Sequence, residues 1–277
     1  MKLQYLGTAA AEGIPALFCT CEVCRRSFES GGRAVRTRSQ AVVNDDLLID
    51  FPADTYAHML QSKRKLTDFS ACLITHAHSD HLYERDAAFL ASGFSRSLPD
   101  GYHITFYGSE VVGEKLKPAM ARPWGEGTCS FETVSAYQSV SVGRYTVTPL
   151  KALHDPNAGP LMYMISDGEK TILYAHDTNF FDDGVWSYWE KTRPHFDLVS
   201  LDCTNALTPM DYVGHMSLAE NVRVREIMLE NGYADACTRF VCNHFSHNGK
   251  SVYYDDFVPI AAEKGFLVSY DGMTVTI

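Results

Sequence analysis

At 277 residues, with 45% hydrophobic and 21% charged residues, the chain has the bulk of one large globular domain or two small ones. Its net charge of −10 argues against broad electrostatic binding of long nucleic acid, which needs a basic face to displace counterions. No apolar run approaches the roughly 18–20 residues that a bilayer span requires, so no membrane partner is expected.

The chain begins with Lys2-Leu3-Gln4-Tyr5-Leu6-Gly7. This stretch lacks the zones of a signal peptide and predicts a first strand at 2–7 and a cytoplasmic location. Cys19, Cys21 and Cys24 follow as CxCxxC. In a long chain without a secretion signal, cysteines read as thiols or metal ligands rather than disulfides. Cys72, Cys203 and Cys242 lie in apolar segments and read as small buried hydrophobes. Arg25, Arg26, Arg33, Arg36 and Arg38 form a basic run that suits either a solvated surface or an anionic substrate.

Strands at 40–44 and 46–50 are predicted to meet in a hairpin across Asn44-Asp45-Asp46, followed by a helix over 53–63. A strand at 71–75 runs into His76-Ala77-His78-Ser79-Asp80-His81, an HxHxDH pattern. A helix over 84–92, a strand at 103–107 and a helix over 109–119 come next. Residues 120–137 read as a loop bordering a cleft. A strand at 145–151 leads to His154. Strands at 161–166 and 171–175 form a second hairpin that leads to His176-Asp177. A helix over 183–192 and a strand at 197–202 precede His215, which stands just before a helix over 217–231. Ser217 with Glu220 three residues on is a capping-box signature. A strand at 239–243 leads to His244, and a helix over 255–264 and strands at 266–270 and 273–277 close the chain. No linker interrupts this order, so residues 1–277 are expected to form one domain. Hairpins mixed with helical crossovers predict two packed sheets with helices on the outer faces.

His76, His78, Asp80, His81, His154, Asp177 and His244 all stand just past the ends of predicted strands. Imidazole and carboxylate are common ligands of zinc, manganese and iron, and seven such groups at strand-to-loop junctions predict a two-metal site. His176 would point away from Asp177 if the strand continued, and reads as structural. His58, His103 and His195 lack comparable context.

The order HxHxDH…His…Asp…His resembles the metallo-β-lactamase superfamily, whose fold is an α/β, four-layer αβ/βα sandwich. The resemblance implies that His76, His78 and His154 hold one divalent ion (manganese, zinc or iron). It gives Asp80, His81 and His244 a second, with Asp177 bridging both. A hydroxide shared by such a pair is a nucleophile at neutral pH. Asp50 resembles the family aspartate that orients a ligand histidine from behind.

A narrower resemblance rests on Gly7-Thr8-Ala9-Ala10-Ala11-Glu12-Gly13-Ile14-Pro15, the CxCxxC cluster, Asp202-Cys203-Thr204, Gly214-His215-Met216-Ser217 and Asn243-His244-Phe245-Ser246-His247. These segments are similar to the PhnP branch, phosphodiesterases that act on cyclic ribose phosphates. The branch implies a structural zinc on Cys19, Cys21, Cys24 and His247, a closed tetrahedral set that would pin the N-terminal loop to the loop of His244. It also implies that His215 faces the phosphate as a charge stabiliser or general acid, and it suggests a homodimer. Ala9, Ala10 and Ala11 depart from the branch's glycines, and the loop from Asp155 to Pro160 is particular to this chain.

The expected activity is therefore hydrolysis of small or cyclic nucleotide-like phosphodiesters, with Asp80 and His215 as catalytic residues. Two other readings stand beside it. One is a hydrolase of lactone, thioester or β-lactam carbonyls. The other is a PqqB-like non-catalytic protein, against which the full set of seven ligand positions counts.

Overall fold

The computed structural model describes residues 1–90, 94–120, 127–208 and 214–277. Strands β1 (Lys2–Gly7), β2 (Gln40–Val43), β3 (Leu47–Ile49), β4 (Ala71–Leu73), β5 (Ile104–Gly108) and β6 (Cys129–Thr133) lie side by side in that order. A second seven-stranded sheet runs from β7 (Val140–Val142) through β8 (Tyr145–Lys151), β9 (Leu161–Ser166), β10 (Thr171–Ala175), β11 (Leu198–Asp202) and β12 (Arg239–Asn243) to β13 (Leu267–Val268). The chain then returns, and β14 (Thr274–Thr276) pairs antiparallel with β1 at the edge of the first sheet.

Alternation along each strand explains the layering. Leu3, Tyr5, Ala41, Val43, Leu47 and Ile49 of the first sheet share one core with Val147, Tyr163, Ile165, Ile172 and Tyr174 of the second. Intervening residues face outward: Val42, Leu48 and Cys72 meet α2 (Thr55–Ser62) and α3 (Glu110–Met120) through Met59, Val112 and Leu116. On the other sheet Leu173, Val199 and Cys242 meet α4 (Asp183–Thr192), α5 (Leu218–Glu230) and α6 (Tyr254–Glu263) through Trp189, Val224 and Phe257. Strands buried on both faces read as continuous apolar runs, which is why they were legible as strands. The result is the four-layer sandwich.

Both hairpins form as expected. Asn44 and Asp45 adopt positive φ of 51° and 80°, as the mirror-image turn between β2 and β3 requires. Ser217 caps α5 with Glu220. Two expectations are corrected, and one helix is added. The stretch 120–137 is not a continuous loop, because it carries β6, a half-exposed edge strand held by parallel pairing with β5. Residues 121–126 lie outside the described part. The helix expected over 84–92 is a 3-10 segment, Glu84–Leu90. The CxCxxC segment runs into a helix, α1 (Glu22–Ser30), whose polar sequence gave no apolar period. Among the described residues, no helix is long and apolar enough to cross a membrane.

Strands β3, β4 and β5 run parallel, as do β10, β11 and β12. Their carboxyl ends gather on one rim, where an α/β sheet leaves its crevice.

Candidate metal centre

Each ligand residue expected from the sequence lies on that rim. His76 and His78 leave β4, His154 follows β8, Asp177 follows β10 and His244 follows β12. His76 Nε2 and His154 Nε2 lie 3.0 and 3.2 Å from His78 Nδ1. His81 Nε2 lies 3.4 Å from Asp80 Oδ2, 3.2 Å from His244 Nε2 and 2.6 Å from Asp177 Oδ2. Asp177 Oδ2 is also 3.4 Å from His76 Nε2, so one carboxylate oxygen faces both clusters. Within each cluster the candidate ligand atoms lie within 4.8 Å of one another. Three imidazole nitrogens on one side and two carboxylates with two imidazoles on the other are donor sets suited to divalent cations.

The ring nitrogens turned away from the clusters are held as well. His81 Nδ1 donates to Asp50 Oδ2 at 2.7 Å, and Asp50 Oδ1 accepts from the Thr75 amide and hydroxyl at 2.8 and 2.9 Å. His76 Nδ1 lies 3.1 Å from the Thr75 hydroxyl and His244 Nδ1 2.9 Å from the Thr204 hydroxyl. His154 Nδ1 donates to the Gly214 carbonyl at 3.2 Å, and His78 Nε2 faces Asp155 Oδ2 at 3.3 Å. Such partners fix which nitrogen carries the proton and leave the other for a metal. The placement expected of Asp50 is observed. Asp155, from the loop particular to this chain, was not anticipated in this role.

Three residues here adopt the left-handed region without being glycine: Asp50 (φ 66°), Asp177 (φ 50°) and His244 (φ 63°). The strain turns each side chain out of its strand register and onto the rim. His176 accordingly points elsewhere, with Nε2 2.8 Å from the Ser200 hydroxyl in the core, as expected of a structural residue.

Electrostatics match the donor chemistry. Burial pushes His76 and His154 toward the neutral imidazole, the form that ligates metal. Burial also opposes ionisation of Asp177, but His244 and His81 outweigh it and hold its carboxyl well below the usual range. Burial disfavours the His81 cation, yet Asp50, Asp177 and Asp80 together raise its pKa well above the ordinary value. The proton there occupies a pocket of negative potential that a divalent cation would fill instead.

His215 sits beside this centre. Its Nδ1 donates to Asp202 Oδ2 at 2.9 Å and lies 3.3 Å from Asp177 Oδ1. Burial lowers its pKa, but Asp202 and then Asp177 override that and push it up to about 9. Asp202 is fully buried and also accepts from the amides of Asp177, Thr204 and Met216, each at 3.0 Å. Sequence reasoning marked this segment without giving Asp202 a role; its place at a strand end was the available signal.

The cysteine cluster assembles with His247. Cys19 Sγ and Cys21 Sγ lie 3.4 and 3.6 Å from His247 Nδ1, and the four residues offer ligand atoms within 4.8 Å of one another. The Cys21 thiol is lowered to about 6: burial acts against this, and the Cys24 backbone, His247 and Cys19 prevail. A thiolate is the form a metal takes. Cys72, Cys203 and Cys242 are buried in strands or beside them.

A cleft of about 300 Å³ opens onto the candidate ligand atoms, lined by His78, Asp80, His154, Asp177, His215 and His244 on that side. None of the arginines of the 25–38 run lines it. Arg36 is buried over the Phe245 ring, Arg26 pairs with Asp256 and Arg38 with Asp54. The anion-binding role open to that run is therefore not what the structure gives it.

The family profile described as "Beta-lactamase superfamily domain" matches residues 46–230. In sequence, no curated protein matches the chain. Among solved structures, the chain is similar to a diphosphatase from the PhnP family, with a TM-score of 0.74 and 18% identity over 99% of this chain and 96% of that one. Zinc-bound PqqB from Methylobacterium extorquens superposes with a TM-score of 0.69 and 17% identity over 100% of both chains. The short form of human tRNase Z gives 0.68 and 16% identity, over 100% of this chain and 99% of that one. At these identities the likeness is one of fold.

Proposed function

This chain belongs to the beta-lactamase superfamily, and from that premise we propose that it is a metal-dependent hydrolase of small or cyclic nucleotide-like phosphodiesters. The observation that carries the reading is the shared oxygen of Asp177, within 3.4 Å of His76 in one cluster and 2.6 Å of His81 in the other. One divalent ion would be held by His76, His78 and His154, and a second by Asp80, His81 and His244. Cations bound there would polarise the phosphoryl oxygens and activate water.

The chain's own groups do the rest. Asp177 is shared between the two ligand sets and keeps them at a fixed separation. His215, steadied by Asp202, presents its outer ring edge to the cleft and holds a proton that a departing alkoxide can take. Cys19, Cys21, Cys24 and His247 would hold a separate zinc that ties the N-terminal loop to the loop after β12. The PhnP-family diphosphatase and tRNase Z among the structural neighbours favour phosphorus over a carbonyl centre.

The test is initial rates on bis(p-nitrophenyl) phosphate with metal-stripped protein reloaded with manganese. Turnover that disappears in His78→Ala is expected. No turnover from protein shown by metal analysis to be loaded would overturn the proposal.

A further inference from the structure

Beyond the candidate metal ligands and His215, the cleft is lined by Ala10, Ala11, Glu12, Thr204, Asn205, Ser246 and Asn248. This remaining lining contains no lysine or arginine among the described residues. Asp80 and Asp177 belong to the imidazole clusters, which leaves Glu12 as the lining carboxylate outside them. Glu12 is not free to swing away. It accepts a hydrogen bond from the Ser246 hydroxyl, and its Oε1 lies 3.7 Å from His247 Nε2. Its loop is fixed at both ends: the Ala10 amide donates to the Phe245 carbonyl at 2.9 Å, and Ile14 pairs with Arg36. At the loop's start, a Cβ on Gly7 would lie 1.9 Å from the Arg38 carbonyl oxygen, so the backbones are in direct contact there.

Asn205 adds a second observation. Its Nδ2 is buried and has no hydrogen-bond partner among the described residues. A buried amide donor is costly to leave unpaired, and an acceptor oxygen on an entering ligand would satisfy it. Away from the histidine clusters and His215, the lining thus offers hydrogen-bonding groups and one carboxylate, with no lysine or arginine to receive a second anion.

We propose that Glu12 is a charge filter: the cleft takes phosphodiesters whose far end is uncharged and hydrogen-bonding, and rejects those that carry a second phosphate. The inference rests on the phosphodiester reading of the site and narrows it. A cleft of this volume is roughly 7 Å across, so a second phosphate on a ligand held inside it would lie no farther than about 7 Å from Glu12. At an effective dielectric constant of about 40, the repulsion of two unit charges at ~7 Å corresponds to roughly a tenfold loss of affinity.

The experiment is calorimetric binding to the metal-loaded protein of two ligands that differ at one end. They are a nucleoside 2′,3′-cyclic phosphate with a free 5′-hydroxyl and the same compound with a 5′-phosphate. Wild type is expected to prefer the hydroxyl ligand by about tenfold, and Glu12→Gln, which keeps the acceptor for Ser246, to bring the two within about threefold. In wild type alone the preference should shrink as NaCl rises from 50 to 500 mM, which tests the idea even if the variant fails to fold. Equal or tighter binding of the 5′-phosphate ligand, a preference insensitive to salt, or no binding of either ligand overturns the filter. Turnover followed on the same samples separates the two claims. A preference that is present without hydrolysis upholds the filter and overturns the hydrolase. Hydrolysis without the preference does the reverse.

Discussion

Asp50→Asn is the substitution that best tests whether the second cluster binds a cation. Asn Oδ1 can still accept from the Thr75 amide and hydroxyl, now at 2.8 and 2.9 Å, so the loop start is preserved. The other carboxyl oxygen becomes an amide that faces His81 Nδ1, 2.7 Å away in the wild type. Two donors then confront each other. His81 can relieve the clash only by moving its proton to Nε2, which is the atom 2.6 Å from Asp177 and 3.2 Å from His244. A cation at that cluster needs the Nε2 lone pair, so binding must restore the clash. Losing a hydrogen bond to a charged acceptor costs about 1.5–3 kcal/mol, which is roughly 10–100-fold in metal affinity.

The loss should be confined to one equivalent. His76, His78 and His154 do not touch the altered amide, and the Thr75 contact of His76 is retained. With the cysteine site already filled by zinc, competitive titration against a chromophoric chelator should therefore show one further equivalent bound within about threefold of wild type and a second weakened by at least tenfold. If the Asn variant binds both equivalents as wild type does, His81 does not ligate through Nε2 and the assignment of the second set is wrong.

Lys115 of α3 donates to the carbonyls of Ala77 and Leu82 at 2.5 and 2.9 Å, at either side of the His78–His81 segment. Lys115→Met should weaken metal binding about tenfold, with partial recovery in Lys115→Arg, read by the same chelator titration. Cys21→Ser should remove one equivalent of zinc, measured by elemental analysis, and lower the melting temperature while leaving the histidine clusters able to bind. His58 is buried, bonded to Gln40 at 2.6 Å and Thr37 at 2.7 Å, and burial lowers its pKa from 6.5 to about 4. The unfolded chain takes up this proton first, so the contribution is fully present above pH 6.5 and is lost as pH falls toward 4. The difference is about 3 kcal/mol. Urea unfolding of His58→Gln should show a flatter stability profile across that window, and an unchanged profile would refute the assignment.

What could be read in advance followed the range of the interactions involved. HxHxDH is legible because four metal-capable side chains fall within six residues after one strand, and strand-end positions make His154, Asp177 and His244 stand out. The hairpin at Asn44-Asp45 is written in two residues that tolerate positive φ. Edge strands β6 and β7 were missed because they are short and partly exposed, and they exist through pairing with β5 and β8. Asp155, Lys115 and Glu12 carry no local signal: each acts on residues from another part of the chain, and only the folded contact reveals the partner.

That division has a physical consequence. The five clustered imidazoles, from His76 to His244, each have the outer nitrogen placed by Thr75, Asp155, Asp50, Gly214 or Thr204. The ligand atoms are therefore ordered by hydrogen bonds that do not involve a cation, while Asp50, Asp177 and His244 sit in strained backbone that two packed sheets hold in place. Ordering the ligands is a cost already met in folding, so metal binding should be tight without large rearrangement. Removing metal should then release charge repulsion among Asp80, Asp177 and Asp50 without dissolving the rim. The expected outcome is that stripped protein keeps its far-ultraviolet circular dichroism and melts at lower temperature, with recovery on adding manganese or zinc. A stripped protein that loses its secondary structure would mean that cations, and not the hydrogen-bonded shell, assemble the site.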